Sequence, residues 1–481
     1  MSILTGIKNR WAEKAGYKEV LNLAFPLILS TGSWSIQHFV DRMFLTWYSA
    51  DAIAASVPAG VLNFTFISLF IGTGNYVSTF VAQYFGAKRE DRIGPAVWQG
   101  LYFAIGAGLL MQALYPFTKF IFMAAAHAPS IQALEISYFN ILLSGSVPTI
   151  VAAVCSAFFM GQGKTWPVMW VNFSSIGINL ILDYFMIFGH WIFPEWGMAG
   201  AAIATVIAAW INMLVFIILL FLKDNDERFG IRRNWQFEFD LFKRLLRFGF
   251  PNGVQFMLEM MGFSFFIILV GRLGTESLAA TNIAFNLNAL IFLPMVGFGM
   301  ATSIMVGQYL GMNQPELAEK YTWSTFHMTF LYMSLGALFY IFFPDVLIAP
   351  YASGADPESF QSIYNITVKL LYFIAFYSLF DTMNLVFSGA IKGAGDTRFV
   401  MILMVVLSWT LMVIPTYVAC VVLGKNVFWG WSFATLFVVT LGTSFYFRFR
   451  QGKWKSMRVI EESPCLPGTA LPDVPCIEVE L

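Results

Sequence analysis

Charge is scarce in this chain. Asp, Glu, Lys and Arg make up only 12% of its 481 residues, against about 25% in soluble domains. The 28 basic and 28 acidic residues cancel, which gives no support for nucleic-acid binding, since that wants a basic surface. Cysteine is rarer still. Cys155, Cys420, Cys465 and Cys476 form no CxxC pair, and the four histidines are scattered. That excludes a zinc site of ordinary spacing. No cluster of His, Cys or closely paired acids marks an enzyme, so neither catalysis nor a cofactor is expected. The stretch GQGKT at 161–165 lacks the GxxxxGK[ST] spacing of a phosphate loop, and no strand precedes it. It reads as a turn.

In place of charge the chain has long apolar runs. Hydrophobic residues make up 58% of it, and its mean hydropathy is +0.69. A bilayer-spanning helix needs about 20 mainly apolar residues, and about twelve such stretches lie between residues 20 and 447. The expected fold is an all-α integral membrane protein. Six spans in an N-lobe (1–222) are followed by a charged linker (223–246) ending in an amphipathic stretch. Six more spans form a C-lobe (247–450), and a disordered tail (451–481) follows. The first residues, MSILTGIKNRWAEKAGYKEV, have no apolar core before a cleavage site and read as a short amphipathic lead-in rather than a signal peptide. With an even number of spans, 23 of the 28 basic residues fall on the side of the termini. Basic loops stay inside, so both termini are expected in the cytoplasm.

The two lobes are repeats. A shift of 225 residues brings Phe25-Pro26 onto Phe250-Pro251, Leu62-Asn63 onto Leu287-Asn288, and Gly72 and Gly74 onto Gly297 and Gly299. It also brings VAQYFG (81–86) onto VGQYLG (306–311). A shift of 232 pairs GQGKT (161–165) with GAGDT (393–397). Chance does not keep Gly, Pro, Asn, Gln and Tyr in register across two spans and a loop. Six spans per half make the repeats parallel. Transporters of this plan hold substrate between the halves and rock one against the other.

Four acids fall inside spans: Asp41, Asp183, Glu259 and Asp381. An ionisable group there costs at least about 2.5–3.5 kcal/mol and so marks a functional site. Asn179 is one helical turn from Asp183, and Asn384 follows Asp381 by three residues. Such positions share a helix face. Carboxylates joined by amide and hydroxyl oxygens, Thr205 among them, could hold Na⁺; the same carboxylates could carry protons. For the substrate cavity the candidates are Trp34, Phe39, Phe256, Phe263 and Phe285, which could stack on a flat organic cation, with Asn288.

With these motifs in hand, the chain resembles the multidrug and toxic compound extrusion (MATE) family over roughly residues 17–450, and its NorM-type members in particular. The resemblance implies an antiporter exchanging Na⁺ or H⁺ for bulky, often cationic, organic compounds across a plasma membrane, expected to be a bacterial inner membrane, and working as a monomer. Asp41 in HFVDRMFL, Asn179 and Asp183 in the Asn-x-x-x-Asp spacing, and Thr205 match the N-lobe cation site of some members. Glu259 in FPNGVQFMLEMM and Asp381 match the C-lobe site of NorM-type members. Arg42, directly after Asp41, departs from the family pattern. The alternative is a flippase for lipid-linked precursors of the same wider fold, which favours an arginine-rich cavity. A channel suits duplicated lobes less well.

Overall fold

The computed structural model describes residues 10–124, 127–352 and 357–461. Every regular element among them is a helix. The N-lobe holds α1 (Tyr17–Tyr48), α2 (Ala50–Gly86), α3 (Ile93–Gln112), α4, α5 (Thr165–Phe188) and α6 (Gly197–Leu220). Helix α4 is a pair, Pro129–Ser144 and Ser146–Gly161, bent by 43°. The C-lobe holds α7 (Phe239–Gly271), α8 (Thr275–Gly311), α9 (Pro315–Phe342), α10 (Pro357–Ala394), α11 (Thr397–Val422) and α12 (Val427–Arg450).

Ten of these helices are long and apolar enough to cross a membrane, or eleven with the α4 pair taken as one span. The twelfth expected span, α1, is long enough at 32 residues but too polar. Its polar side chains, Ser30, Thr31, Ser33 and Gln37, bond inward to α5, to α8 and to its own backbone.

Two expectations need correcting. The amphipathic end of the linker does not precede the seventh span but forms its first turns, because α7 already begins at Phe239 and runs unbroken into the span. The rest of the linker is fastened to α3. Trp98 Nε1 donates to Ile231 O at 2.6 Å, Gln99 Nε2 donates to Gln236 O at 3.1 Å, and Tyr102 bonds Trp235 O. Nor is the tail disordered from its start. Residues 451–461 are ordered and packed, while 462–481 lie outside the described residues.

The apolar interior shows how the lobes meet. One core is shared, running from Leu23, Ile67 and Val77 in the N-lobe to Ile304, Phe387 and Phe445 in the C-lobe. The part of it where the lobes meet lies toward the end of the bundle that carries the GxG turns. At the other end the core divides in two. Leu45, Ala55, Ile187 and Met198 form a core wholly within the N-lobe. Phe266, Ala284, Tyr340 and Trp431 form one wholly within the C-lobe. The molecule is therefore one body at the turn end and two bodies at the other.

The repeated VxQYxG motifs make the joint. Gln83 Nε2 donates to Gly393 O at 3.0 Å, and Gln308 Nε2 donates to Gly161 O at 2.7 Å. Each glutamine reaches the GxG turn of the opposite lobe. The motif glycines allow this approach, since a Cβ on Gly86 would run into the backbone of Gln308, and one on Gly311 into that of Gln83. Asn252 Nδ2 donating to Gly72 O at 2.8 Å and Tyr76 OH donating to Lys392 O at 2.8 Å extend the seam.

Gly86→Ala or Gly311→Ala should therefore lower stability by about 1–3 kcal/mol, the usual cost of overpacking. Gly106→Ala, with open space around it, should not. Thermal melting of the purified full chain in detergent checks this, and equal shifts for the three variants would contradict it.

Candidate cation sites in the two lobes

The N-lobe acids come together. Asn179 and Asp183 are one turn apart on α5, and both are fully buried. Across from them, Gln37 of α1 donates Nε2 to Asn179 Oδ1 at 2.7 Å. Asn179 Nδ2 in turn reaches Thr205 Oγ1 of α6 at 3.5 Å, and Thr205 Oγ1 donates to Ala201 O at 3.0 Å. One turn along α1 from Gln37, the carboxyl of Asp41 meets that of Asp183. Tyr138, from the first half of α4, is close enough to both acids to feel their charge. Tyr138 also lines a cavity of about 270 Å³ between α1, α2, α4 and α6.

This pair is electrostatically incomplete. Both oxygens of Asp183 and Oδ1 of Asp41 are buried without a hydrogen-bond partner. Arg42, the family departure, is exposed and leaves Asp41 Oδ1 unpartnered. Two carboxylates in contact within a low-dielectric interior cannot both stay ionised without a proton or a cation between them. The ligands at hand are carboxylate, amide and hydroxyl oxygens, the donor set of a hard cation. All four N-lobe candidates, Asp41, Asn179, Asp183 and Thr205, fall in one place. Gln37 and Tyr138 belong with them and were missed. Gln37 was within reach of sequence reasoning, being four residues before Asp41 on the same face. Tyr138 had no such signal.

The C-lobe acids are arranged differently. Glu259 Oε1 accepts from Gln255 Nε2 one turn earlier on α7, at 2.7 Å. Asp381 Oδ1 accepts from Asn384 Nδ2 at 2.9 Å. The two acids are near enough to interact through space, but each has its own amide donor. Lys392 of α10 is within electrostatic reach of Glu259. Gln255 Oε1 and Asn288 Oδ1 are buried and unpartnered.

The aromatic candidates divide into two groups. Trp34 packs edge-on to Phe64 at 5.5 Å, and Phe64 packs edge-on to Phe256 at 5.9 Å. Phe64, unnoticed in the sequence, thus joins Trp34 of one lobe to Phe256 of the other. Phe263 lies 4.6 Å from Phe285, which stacks on Trp431 at 4.9 Å. Phe285 is therefore partly a core residue of the C-lobe. Phe39 is 68% exposed and joins neither group.

Comparison with known proteins agrees with this architecture. The family model MatE matches twice, at residues 26–185 and 251–418, and the two matches begin 225 residues apart, the offset of the repeat. The probable multidrug resistance protein NorM of Thermotoga maritima is 26% identical over 450 residues, covering 92% of this chain and 94% of the relative. The protein of the same name from Xylella fastidiosa is 27% identical, covering 82% and 83%. Among solved structures, a MOP superfamily transporter from Pyrococcus furiosus has a TM-score of 0.83 at 18% identity, covering 95% of this chain and all of that one. A multidrug resistance MATE family transporter in an outward-facing conformation has the same TM-score, identity and coverage. With the matched family model spanning both lobes, the chain belongs to the MatE family.

Proposed function

We propose that this protein is a cation-coupled exporter of bulky organic compounds, working by alternating access, with the Asp41–Asp183 pair of the N-lobe as its main coupling site. The observation that carries this reading is the buried carboxylate pair without hydrogen-bond partners. The relatives named multidrug resistance proteins point to the same class of substrate.

The mechanism follows from where the pair sits. It lies beside the N-lobe's own core, at the end where the lobes are separate. A proton or Na⁺ arriving there removes the repulsion and holds α1 against α5. A ligand can shift a conformational balance only by its differential affinity for the two states, and a pair that cannot stay doubly ionised supplies that difference. Trp34, Phe64 and Phe256 lie on the lobe seam, so drug stacked there would feel any movement of α1. Release of the cation on the other side then resets the carrier. Each charge moved inward down the membrane potential supplies about 2.3 kcal/mol per 100 mV. The basic residues gather on the face of the GxG turns and linker, and the positive-inside rule makes that face cytoplasmic. The separated end then faces outward. Midway along the seam the side chains that meet, Trp34, Phe64 and Phe256, are aromatic rather than arginine, which favours organic cations over the anionic head of a lipid-linked precursor.

Ethidium efflux from vesicles, with Na⁺ and pH gradients imposed separately, tests the coupling. Asp183→Asn and Asp41→Asn should each cut gradient-driven efflux by about 100-fold, since losing one charge removes the unmet pair. Glu259→Gln and Asp381→Asn should cost about tenfold or less, because their amide donors can satisfy the neutral side chains as well. The reverse ranking would move the coupling site to the C-lobe, and indifference to both gradients would remove antiport altogether. A third outcome concerns Gln37. Its substitution by Ala frees Asn179 and should raise the cation concentration for half-maximal efflux about 10- to 100-fold, as loss of an orienting neighbour does at metal sites.

A further inference from the structure

Beyond α12 the chain stays on the molecule as far as Glu461. It turns at Gly452, makes one tight helical turn over Lys453–Ser456, and buries Trp454 flat on Phe449, with ring centroids 4.9 Å apart. Lys455 pairs with Glu319 of α9 at 2.6 Å. This end of the segment therefore belongs to the C-lobe. The chain then crosses the seam. The Val459 backbone N–H donates to Gln83 Oε1 at 2.8 Å, so the carboxamide of Gln83 binds the C-lobe turn with its nitrogen and this segment with its oxygen.

Glu461 completes the crossing. Its carboxylate accepts from Tyr84 OH at 2.7 Å, Arg89 Nη2 at 2.8 Å and Arg92 Nε at 3.1 Å, and it pairs with Arg244. Arg89 Nη1 also donates to Glu461 O at 3.0 Å. Tyr84, Arg89 and Arg92 are N-lobe residues, whereas Arg244 is in the first turns of α7. Arg92 additionally pairs with Glu238 at 2.8 Å, just before α7. One carboxylate thus gathers cations from both lobes, in charge-assisted bonds about twice as strong as neutral ones. The motif mate of Tyr84 has a lesser counterpart. Tyr309 OH donates to Glu19 Oε1 of α1 at 2.5 Å, but no arginine bonds Glu19 among the described residues.

We propose that residues 453–461 are a latch across the arginine-rich face, in which Glu461 holds that face shut and sets how often the transporter opens there. The proposal rests on the alternating-access reading. Opening this face must break the bonds of Gln83 and Gln308 to the opposite turns. A nine-residue segment rooted in the C-lobe and gripping the N-lobe must then release one end. Its weak point is the single carboxylate.

The latch is not worked by ordinary pH changes. Burial pushes the Glu461 carboxyl up, but the bonds from Tyr84 and the backbone, with the charges of Arg89 and Arg244, outweigh it and hold the group at about 2. A depressed carboxyl stabilises the folded contact at any pH above its free value of 4.5. That contribution is lost only as pH falls from there toward about 2.

The test is an interlobe distance measured by spin labels at Lys88→Cys and Met312→Cys, on the loop tips of the two lobes, in the otherwise cysteine-free full chain in lipid nanodiscs. Glu461→Gln should raise the ratio of open to closed molecules by about tenfold, with Arg244→Gln shifting it less in the same direction and Glu461→Asp staying near the parent. The shift should be equal at about pH 6 and about pH 8. If the parent opens on adding ethidium but Glu461→Gln opens no more readily, the latch is wrong while rocking stands. If no protein shows a longer distance under any condition, rocking fails and the latch fails with it.

Discussion

Two glutamine side chains at the seam carry the architecture. Gln83 and Gln308 each donate to a glycine carbonyl in the other half, and each motif glycine leaves room for the opposite backbone. A buried carboxamide is costly unless its polar atoms are paired. The closed joint therefore depends on the two turns being present and correctly placed. Around it the shared apolar core excludes water. Away from it the cores separate, and the lobes are free to hold different chemistry.

They do hold different chemistry. Under the 225-residue shift Asp41 falls on Phe266, and Glu259 falls on Trp34. Phe266 sits in an aromatic cluster with Phe285 and Trp431, at 5.9 and 6.0 Å. Trp34 packs on Phe64 at the seam. Each lobe thus puts an acid where the other puts an aromatic ring. The N-lobe acid meets a second acid and is left unsatisfied, while the C-lobe acids are separately bonded. A scaffold duplicated as one unit has come to carry a paired, unsatisfied acid centre in one lobe and separately bonded acids in the other.

Much of this could be read from the chain. Apolar runs gave the spans and the repeat gave the lobes. Asn179 and Asp183 could be placed on one face because i and i+4 positions must share one. Helix α1 was harder to judge, because its polar residues bond inside the bundle and hydropathy cannot see the partner. Tyr138 and Phe64 were illegible for the same reason: their roles come from helices that pack together only in three dimensions. The order of residues 451–461 ran against their composition, since a short run so rich in charge (Lys453, Lys455, Arg458, Glu461) looks unstructured until Trp454 finds Phe449 and Glu461 finds three arginines. Lone charges read as solvated, and only the fold shows which are gathered.

The shared core also makes each lobe depend on the other. Neither lobe could close the turn end by itself, for each would expose the apolar surface that the other now covers, and each glutamine would lack its glycine carbonyl. The bond from Gln83 to Gly393 and the bond from Gln308 to Gly161 are the same contact seen from the two sides, as in a two-fold interface between identical subunits. A single six-helix lobe would need a parallel second copy to close both seams. On one chain the partner is fixed, and each lobe is free to carry its own acids.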